Sequence, residues 1–368
     1  MLEELQFDLP EHLEAGLPPE ARGLRRDHVR LMVTDRATGH TVHARFDQIG
    51  RFLRPGDLLV TNDSRTLPAA LPAFLDRGRA AGGAQPVEVR LAHRHKRSWT
   101  VLLKGEPGPD GRRAEVVAEP GDRLLFLTSP GPTSLGSPSA PLEALVLAPH
   151  PYLPFLWQVR FNRLGSDLLE AIHQLGRPVR YSYAQGAWDL DYYQTVYATT
   201  PGSAEMPSAG RAFTWELLLG LRAQGIGLAF ITLHTGLSAF QVPDIDRLHL
   251  VGEEEYSIPP ATADAVNRTR SLGGRVVAVG TTVVRTLETV AGEDGQVAAR
   301  SGWTRLRITP DHRLRAVDGL LSGLHEPEAS HLDMLAAFLA PQPLRRAYDE
   351  ALAQGYLWHE FGDEHLIL

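Results

Sequence analysis

The chain has 368 residues, of which 43% are hydrophobic and 22% charged, and a formal net charge of −7 at pH 7. That length suits two globular domains better than one core, and the composition excludes a disordered or fibrous chain. The acidic balance gives no global attraction to nucleic acid, so any RNA contact has to come from a local basic patch.

With no cysteine in the sequence, disulfides, thiolate zinc sites, iron–sulfur clusters and thiol nucleophiles drop out, and cluster-dependent radical chemistry drops out with them. The first residues, Met1 to Leu5, include two glutamates and lack the basic start and apolar core of a signal peptide. No apolar run approaches the roughly 20 residues that cross a bilayer. The expected location is the cytoplasm.

The first predicted element is a β-hairpin, Arg30–Thr34 and His40–Phe46 around the turn Asp35–Gly39, followed by a strand at Asp57–Val60 and the polar cluster Asn62-Asp63-Ser64-Arg65. From about Leu67 to Pro151 short β-like runs (Val87–Leu91, Trp99–Leu103, Arg123–Leu127) alternate with Gly/Pro-rich turns, the texture of a small barrel or sandwich. Ser129 to Pro141 reads as a long surface loop.

After residue 165 the pattern becomes α/β. A helix is predicted at Ser166–Gln174 and another through Arg222 with Thr214 as its N-cap. Strand Leu228–Leu233, helix Thr262–Leu272, strand Arg275–Val279 and a helix from Thr281 follow. Two more helices, Ala329–Leu339 and Leu344–Gln354, precede a last strand, His365–Leu368. The expected fold is an α/β sheet domain, residues 1–66 and 152–368, interrupted by an inserted small β-barrel domain, residues 67–151.

Three clusters fall where strands end, and ligands of open α/β sheets gather beyond the strand C-termini. In Thr232-Leu233-His234-Thr235-Gly236 the histidine is either a general base or simply a satisfied strand-end residue. In Val279-Gly280-Thr281-Thr282 with Arg285, a tight turn exposes helix-start amides that favour an anion, and the arginine suits a carboxylate. The bland alternative is an ordinary strand–helix turn capped by Thr281. Asn62-Asp63-Ser64-Arg65 offers a donor, a carboxylate, a hydroxyl and a guanidinium, or an Asx-turn. His93-Arg94-His95 reads as an exposed, mixed-charge strand edge. His325, Glu328 and His331 lack the spacing of a zinc helix because Pro327 interrupts them, so no metal is expected.

Longer motifs go further. Tyr193-Gln194-Thr195-Val196-Tyr197-Ala198, Pro201-Gly202-Ser203-Ala204, and Pro207-Ser208-Ala209-Gly210 with Phe213-Thr214 stand in order. Leu58–Pro68, Thr232-Leu233-His234 with Gly236-Leu237, Gly280-Thr281-Thr282 with Val284–Glu288, Gly302-Trp303-Thr304, Asp318–Leu321, His325-x-Pro327 and Phe361-Gly362-Asp363 complete the set. Together they resemble the S-adenosylmethionine:tRNA ribosyltransferase-isomerase family across almost the whole chain.

The resemblance implies an α/β domain interrupted by a β-barrel. It also implies transfer and isomerisation of the ribosyl part of S-adenosylmethionine onto 7-aminomethyl-7-deazaguanine in tRNA, giving epoxyqueuosine-tRNA and releasing adenine and methionine. S-adenosylmethionine is then the co-substrate and tRNA the partner. By analogy, His234, His325 or Asp63 would do the acid–base work. Gly280, Thr281, Thr282 and Arg285 would hold the methionine carboxylate. Asn62, Arg65, Tyr197, Ser208, Gly210, Gly236, Glu254 and Asp363 would line the substrate site.

The departures from the family pattern are polar. Ala209-Gly210-Arg211-Ala212-Phe213-Thr214 replaces the usual Ala-Gly-Leu-His-Phe-Thr, and the usual His-x-Met-His-x-Glu reads His249 to Glu254 with Gly252 for its second histidine. Glu326-Pro327-Glu328-Ala329 stands for Leu-Pro-Arg/Lys-Ser, and Arg177-Pro178-Val179-Arg180-Tyr181-Ser182-Tyr183 replaces a Leu-Pro-Pro-Tyr-Ile segment. A carboxylate in place of a cation weakens a phosphate contact by charge alone. Two alternatives therefore stand beside the main reading: a paralogue using another, small-molecule acceptor, and a non-catalytic protein that binds S-adenosylmethionine or RNA.

Overall fold

The computed structural model describes residues 5–78, 83–108, 113–126, 141–153, 155–181, 183–237, 253–327 and 329–368. The hairpin β1 (Arg30–Thr34) and β2 (Thr41–Arg45) forms as the sequence predicts, and β3 (Leu58–Asn62) and the short β4 (Ser64–Thr66) follow.

The barrel strands come next: β5 (Ala70–Asp76), β6 (Gln85–His95), β7 (Ser98–Pro107), β8 (Arg113–Glu115), β9 (Arg123–Phe126), β10 (Glu143–Pro149) and β11 (Leu156–Phe161). They pair antiparallel in the order β11-β10-β9-β5-β6-β7-β8. β11 also pairs with β7, which closes six strands into a barrel and leaves β8 on its rim. Closure removes the open edges that an antiparallel sheet of this size would otherwise expose. The closing strand lies beyond the boundary at residue 151 read from the sequence. Helix α1 (Gly165–Leu175) also packs Leu168, Ala171 and Ile172 into the barrel core beside Val159 and Phe161.

The rest of the chain is α/β. β12 (Thr200–Ser203) pairs parallel with β4, α2 (Trp215–Ala223) follows, and β13 (Gly227–Leu233) leads to β14 (Glu254–Ile258). Then come α3 (Pro260–Ser271), β15 (Val276–Val279), α4 (Thr281–Val290), β16 (Arg300–Thr304), β17 (Gly319–Gly323), α5 (Ser330–Phe338), α6 (Pro341–Ala353) and β18 (Glu364–Ile367). Thr214 caps α2 as predicted, its side chain accepting from the Leu217 amide.

Nine strands form one sheet in the order β16-β14-β13-β3-β15-β17-β18-β1-β2. Its middle, β13-β3-β15-β17, is parallel. All four β15 residues are buried, the mark of a strand covered on both faces. On one face Leu58, Val60, Val276 and Ala278 pack with α3, α4, α5 and α6. On the other Leu59, Val277 and Val279 pack with Tyr197, Phe213 and α2. The expected loop at Ser129–Pro141 lies, except for Pro141, outside the described residues.

A candidate active site between sheet and barrel

Because β3, β13, β15 and β17 run parallel, the segments that follow them all leave the same edge of the sheet. This places Asn62–Ser64, His234 and Gly280–Thr282 in one row, although they are far apart in sequence, with His325 at the far end of the same edge.

Asn62 stitches that row together. Its Oδ1 accepts from the amides of Leu233 (3.0 Å) and Ser64 (3.1 Å), and its Nδ2 donates to the Leu233 carbonyl (2.8 Å) and Thr282 Oγ1 (3.3 Å). Two donors and two lone pairs are the whole capacity of a carboxamide. Asn62 therefore builds the site and keeps no side-chain hydrogen bond for a ligand. Asp63 is similarly engaged, accepting from Thr232 Oγ1 at 2.6 Å and Thr199 Oγ1 at 2.9 Å.

His234 faces the cleft. Its Nδ1 shares a 2.8 Å hydrogen bond with Ser64 Oγ, which in turn lies 2.5 Å from Ser203 Oγ, and Ser203 accepts from the Thr235 amide. A Cβ on Gly202 would stand 2.5 Å from the imidazole, so glycine there is a packing requirement. Burial pushes the His234 pKa down, with Glu255 opposing.

Gly280 takes φ 94°, outside the usual range of other residues, and lets α4 begin at the strand end, where Thr282 meets Asn62. The Thr281 and Thr282 amides head that helix, where backbone N–H groups have no intrahelical acceptor. Arg285, one turn along, is already engaged. It pairs with Glu254, and its Nε donates to the Leu306 carbonyl at 2.9 Å. Its Nη2 is buried and has no hydrogen-bond partner among the described residues. Glu254 also accepts from the Gly236 amide at 3.2 Å.

Tyr197 is buried, and burial pushes its phenol well above the ordinary value. A Cβ on Gly210 would come within 2.0 Å of the Tyr197 hydroxyl, which explains the glycine in the turn Ser208–Gly210. Arg65 is exposed on β4, in register with Pro201.

Two expected site residues stand elsewhere. His325 shares a 2.7 Å hydrogen bond with Ser322 and stacks on His331 at 4.4 Å, and burial pushes its pKa well down. It follows β17, three strand positions from β13, or about 14 Å at ordinary strand spacing. His234 and His325 therefore cannot share one proton. Asp363 holds the backbone amides of Arg30 (2.7 Å) and Leu357 (2.8 Å), the work of a structural carboxylate. Gly252 and Glu328 lie outside the described residues, and Ala212 is a buried core residue. Arg211, another departure, is buried as a structural hub. It donates to Glu20 and to the Tyr192 carbonyl and lies over the Phe361 ring.

The reading of His93-Arg94-His95 as an exposed edge is corrected for His93. In β6, Leu91 opposes Val101 but His93 opposes Thr100. That bulge puts His93 on the other side of the barrel wall from Leu91. Its ring then lies against Gly236, where a Cβ would come within 2.0 Å of it. Burial pushes its pKa down to about 4, with Glu254 opposing, so it is neutral at pH 7. A bulge leaves no mark in the hydrophobic pattern, so this residue was hidden in the sequence. Ser203 and Glu255 were missed as well, although Ser203 sits inside a quoted motif.

His93, Arg94 and Trp99 from the barrel and Gly202, His234, Glu255 and Trp303 from the sheet side line one cleft. The imidazoles and the carboxylate there suit proton transfer and recognition of a polar ligand. Among the described residues no group of three or more His, Asp or Glu side chains could hold a metal ion, and no helix is long and apolar enough to cross a membrane.

The relative from Symbiobacterium thermophilum named S-adenosylmethionine:tRNA ribosyltransferase-isomerase is 40% identical, with 100% of this chain and 99% of the relative covered. The protein of the same name from Moorella thermoacetica is 37% identical over the same shares. The crystal structure of the S-adenosylmethionine tRNA ribosyltransferase of Thermotoga maritima is 29% identical, with both chains covered completely and a TM-score of 0.53. Residues 2–367 match the family described as Queuosine biosynthesis protein, and the chain belongs to that family.

Proposed function

We propose that this protein is an S-adenosylmethionine-dependent tRNA ribosyltransferase-isomerase acting in the cytoplasm. It moves the ribosyl part of S-adenosylmethionine to 7-aminomethyl-7-deazaguanine in tRNA and releases adenine and methionine. The observation that carries this reading is the convergence of His234, Ser64 and Ser203 with the Gly280–Thr282 turn, tied to them through Asn62, at one sheet edge, where His234 lines a cleft against the barrel.

The chemistry asks for a base at the carbon beside the sulfonium, whose proton the positive sulfur acidifies. Neutral His234, fixed through Nδ1 by Ser64, offers Nε2 for that proton. The Thr281 and Thr282 amides at the start of α4 suit the methionine carboxylate. Arg285 adds positive charge to that region through its Nη2, which has no partner among the described residues, while Glu254 fixes its direction. Asp63, held by two threonine hydroxyls, orients the segment that carries Ser64. Residues 67–151, with β11 and α1 packed onto the same core, serve as the inserted unit that borders the cleft.

The deciding experiment measures adenine and methionine release from S-adenosylmethionine, with and without tRNA carrying 7-aminomethyl-7-deazaguanine. Release that requires the modified tRNA is expected. Release without that requirement would point to a small acceptor. Binding of S-adenosylmethionine with no release under either condition would sink the catalytic reading.

A further inference from the structure

Gly302-Trp303-Thr304 belongs to the motif set but has no part in the chemistry above. Trp303 lies on β16 directly opposite Glu255 of β14, and the Glu255 carbonyl accepts from the His234 amide at 2.9 Å. Opposed residues share a face, so His234, Glu255 and Trp303 form a row across the sheet edge. The tryptophan stands two strand positions from His234, about 10 Å away. Its ring stacks on His95 of the barrel, with centroids 4.5 Å apart and planes 11° from parallel. It still lines the cleft and remains 38% exposed.

The surroundings are of the same kind. Tyr152 is 71% exposed, with the Arg305 guanidinium 5.7 Å from its ring centroid, and Arg94 is exposed beside His95. Glu253, which pairs with Arg305, and Glu255 are the opposing charges. Flat aromatic rings left in water next to guanidinium groups are the equipment of single-strand nucleic-acid binding, in which bases stack and cations track the backbone.

We propose that the Trp303–His95 stack is a platform for an unpaired RNA base flanking the one that reacts at His234, with Arg94 following the strand. This rests on the proposed function and adds the surface through which the acceptor is held. It also gives the barrel a role, since His95 and Arg94 come from β6 and Trp303 from the sheet.

The test is binding of a fluorescent anticodon stem-loop RNA by anisotropy, compared with a fully paired duplex of equal length. The parent should prefer the stem-loop. Trp303→Ala and His95→Ala should each weaken stem-loop binding about tenfold, the lower part of what one base–aromatic stack contributes. Trp303→Phe should recover most of the loss, and Arg94→Ala should reduce the log–log salt slope by about one. Stem-loop affinity within twofold of the parent for Trp303→Ala would overturn the platform, as would an equal loss on duplex. A parent that binds the stem-loop yet releases no adenine would overturn the reaction while leaving the platform standing.

Discussion

Ser64 Oγ and His234 Nδ1 share a 2.8 Å hydrogen bond between residues 170 positions apart in sequence. β4 supplies one partner and the end of β13 the other, and Ser203 of β12 completes the line at 2.5 Å. With Nδ1 held, the imidazole has one orientation, and the nitrogen turned to the cleft is Nε2. The pair gives the first prediction. His234→Ala should lower kcat for adenine release by 10²–10⁴-fold, the usual contribution of a positioned base. Ser64→Ala should lower kcat by roughly tenfold with KM nearly unchanged, because orientation is lost while the base remains. Equal, parental kcat in both variants would remove His234 from the mechanism.

The pH profile follows from the same residue. Burial lowers the His234 pKa below the ordinary 6.5. A base works when neutral, so activity should hold through pH 6.5 and fall only as pH drops through the lowered value. The acidic limb of kcat against pH should lie below 6.5 in the parent. A limb above 6.5 would assign the titration to another group.

Gly202 gives a steric test. A Cβ there would stand 2.5 Å from the His234 ring, so Gly202→Ala has to move the imidazole. A displacement near 1 Å can cost about 10²-fold in rate. The expected result is a large loss of kcat with a melting temperature close to the parent's. A parental rate would mean that the ring position is unimportant.

Arg285 is not interchangeable with lysine. Its guanidinium reaches both Glu254 and the Leu306 carbonyl, a fork that one ammonium cannot reproduce. Arg285→Lys should raise the KM for S-adenosylmethionine about tenfold, the scale of one charged hydrogen bond. An unchanged KM would place the carboxylate away from α4.

A stability prediction concerns the opposite edge of the sheet. Buried Asp57 pairs with Arg275 at 2.5 Å. Burial raises its pKa, but the Arg275 hydrogen bond and the backbone amides outweigh this and leave it below 3.8. A depressed folded pKa stabilises the protein above the unfolded value of 3.8, and that contribution is lost as pH falls through the folded value. Asp57→Asn should cost about 2 kcal/mol of unfolding free energy at pH 7, with kcat per folded molecule intact. Denaturant melts at pH 7 and pH 3 should show the variant's deficit shrinking at the lower pH.

Much of this molecule was legible before folding. Every strand and helix named from the sequence forms within a few residues, because apolar periodicity and caps such as Thr214 act locally. The ordered motifs indicated the family, and the strand-end positions of His234 and Gly280 pointed to the candidate site. Barrel closure by β11 and the turning of His93 into the cleft were not legible, since pairing partners and bulges depend on distant strands. Nor was it visible that Asn62 would be saturated by its neighbours or that Asp363 would hold two backbone amides. Residue type states what a side chain can do, and sequence order states which backbone segments can be regular. Which polar groups remain available to a ligand is settled only when every donor and acceptor has met its partner, and those partners lie hundreds of residues apart in the chain.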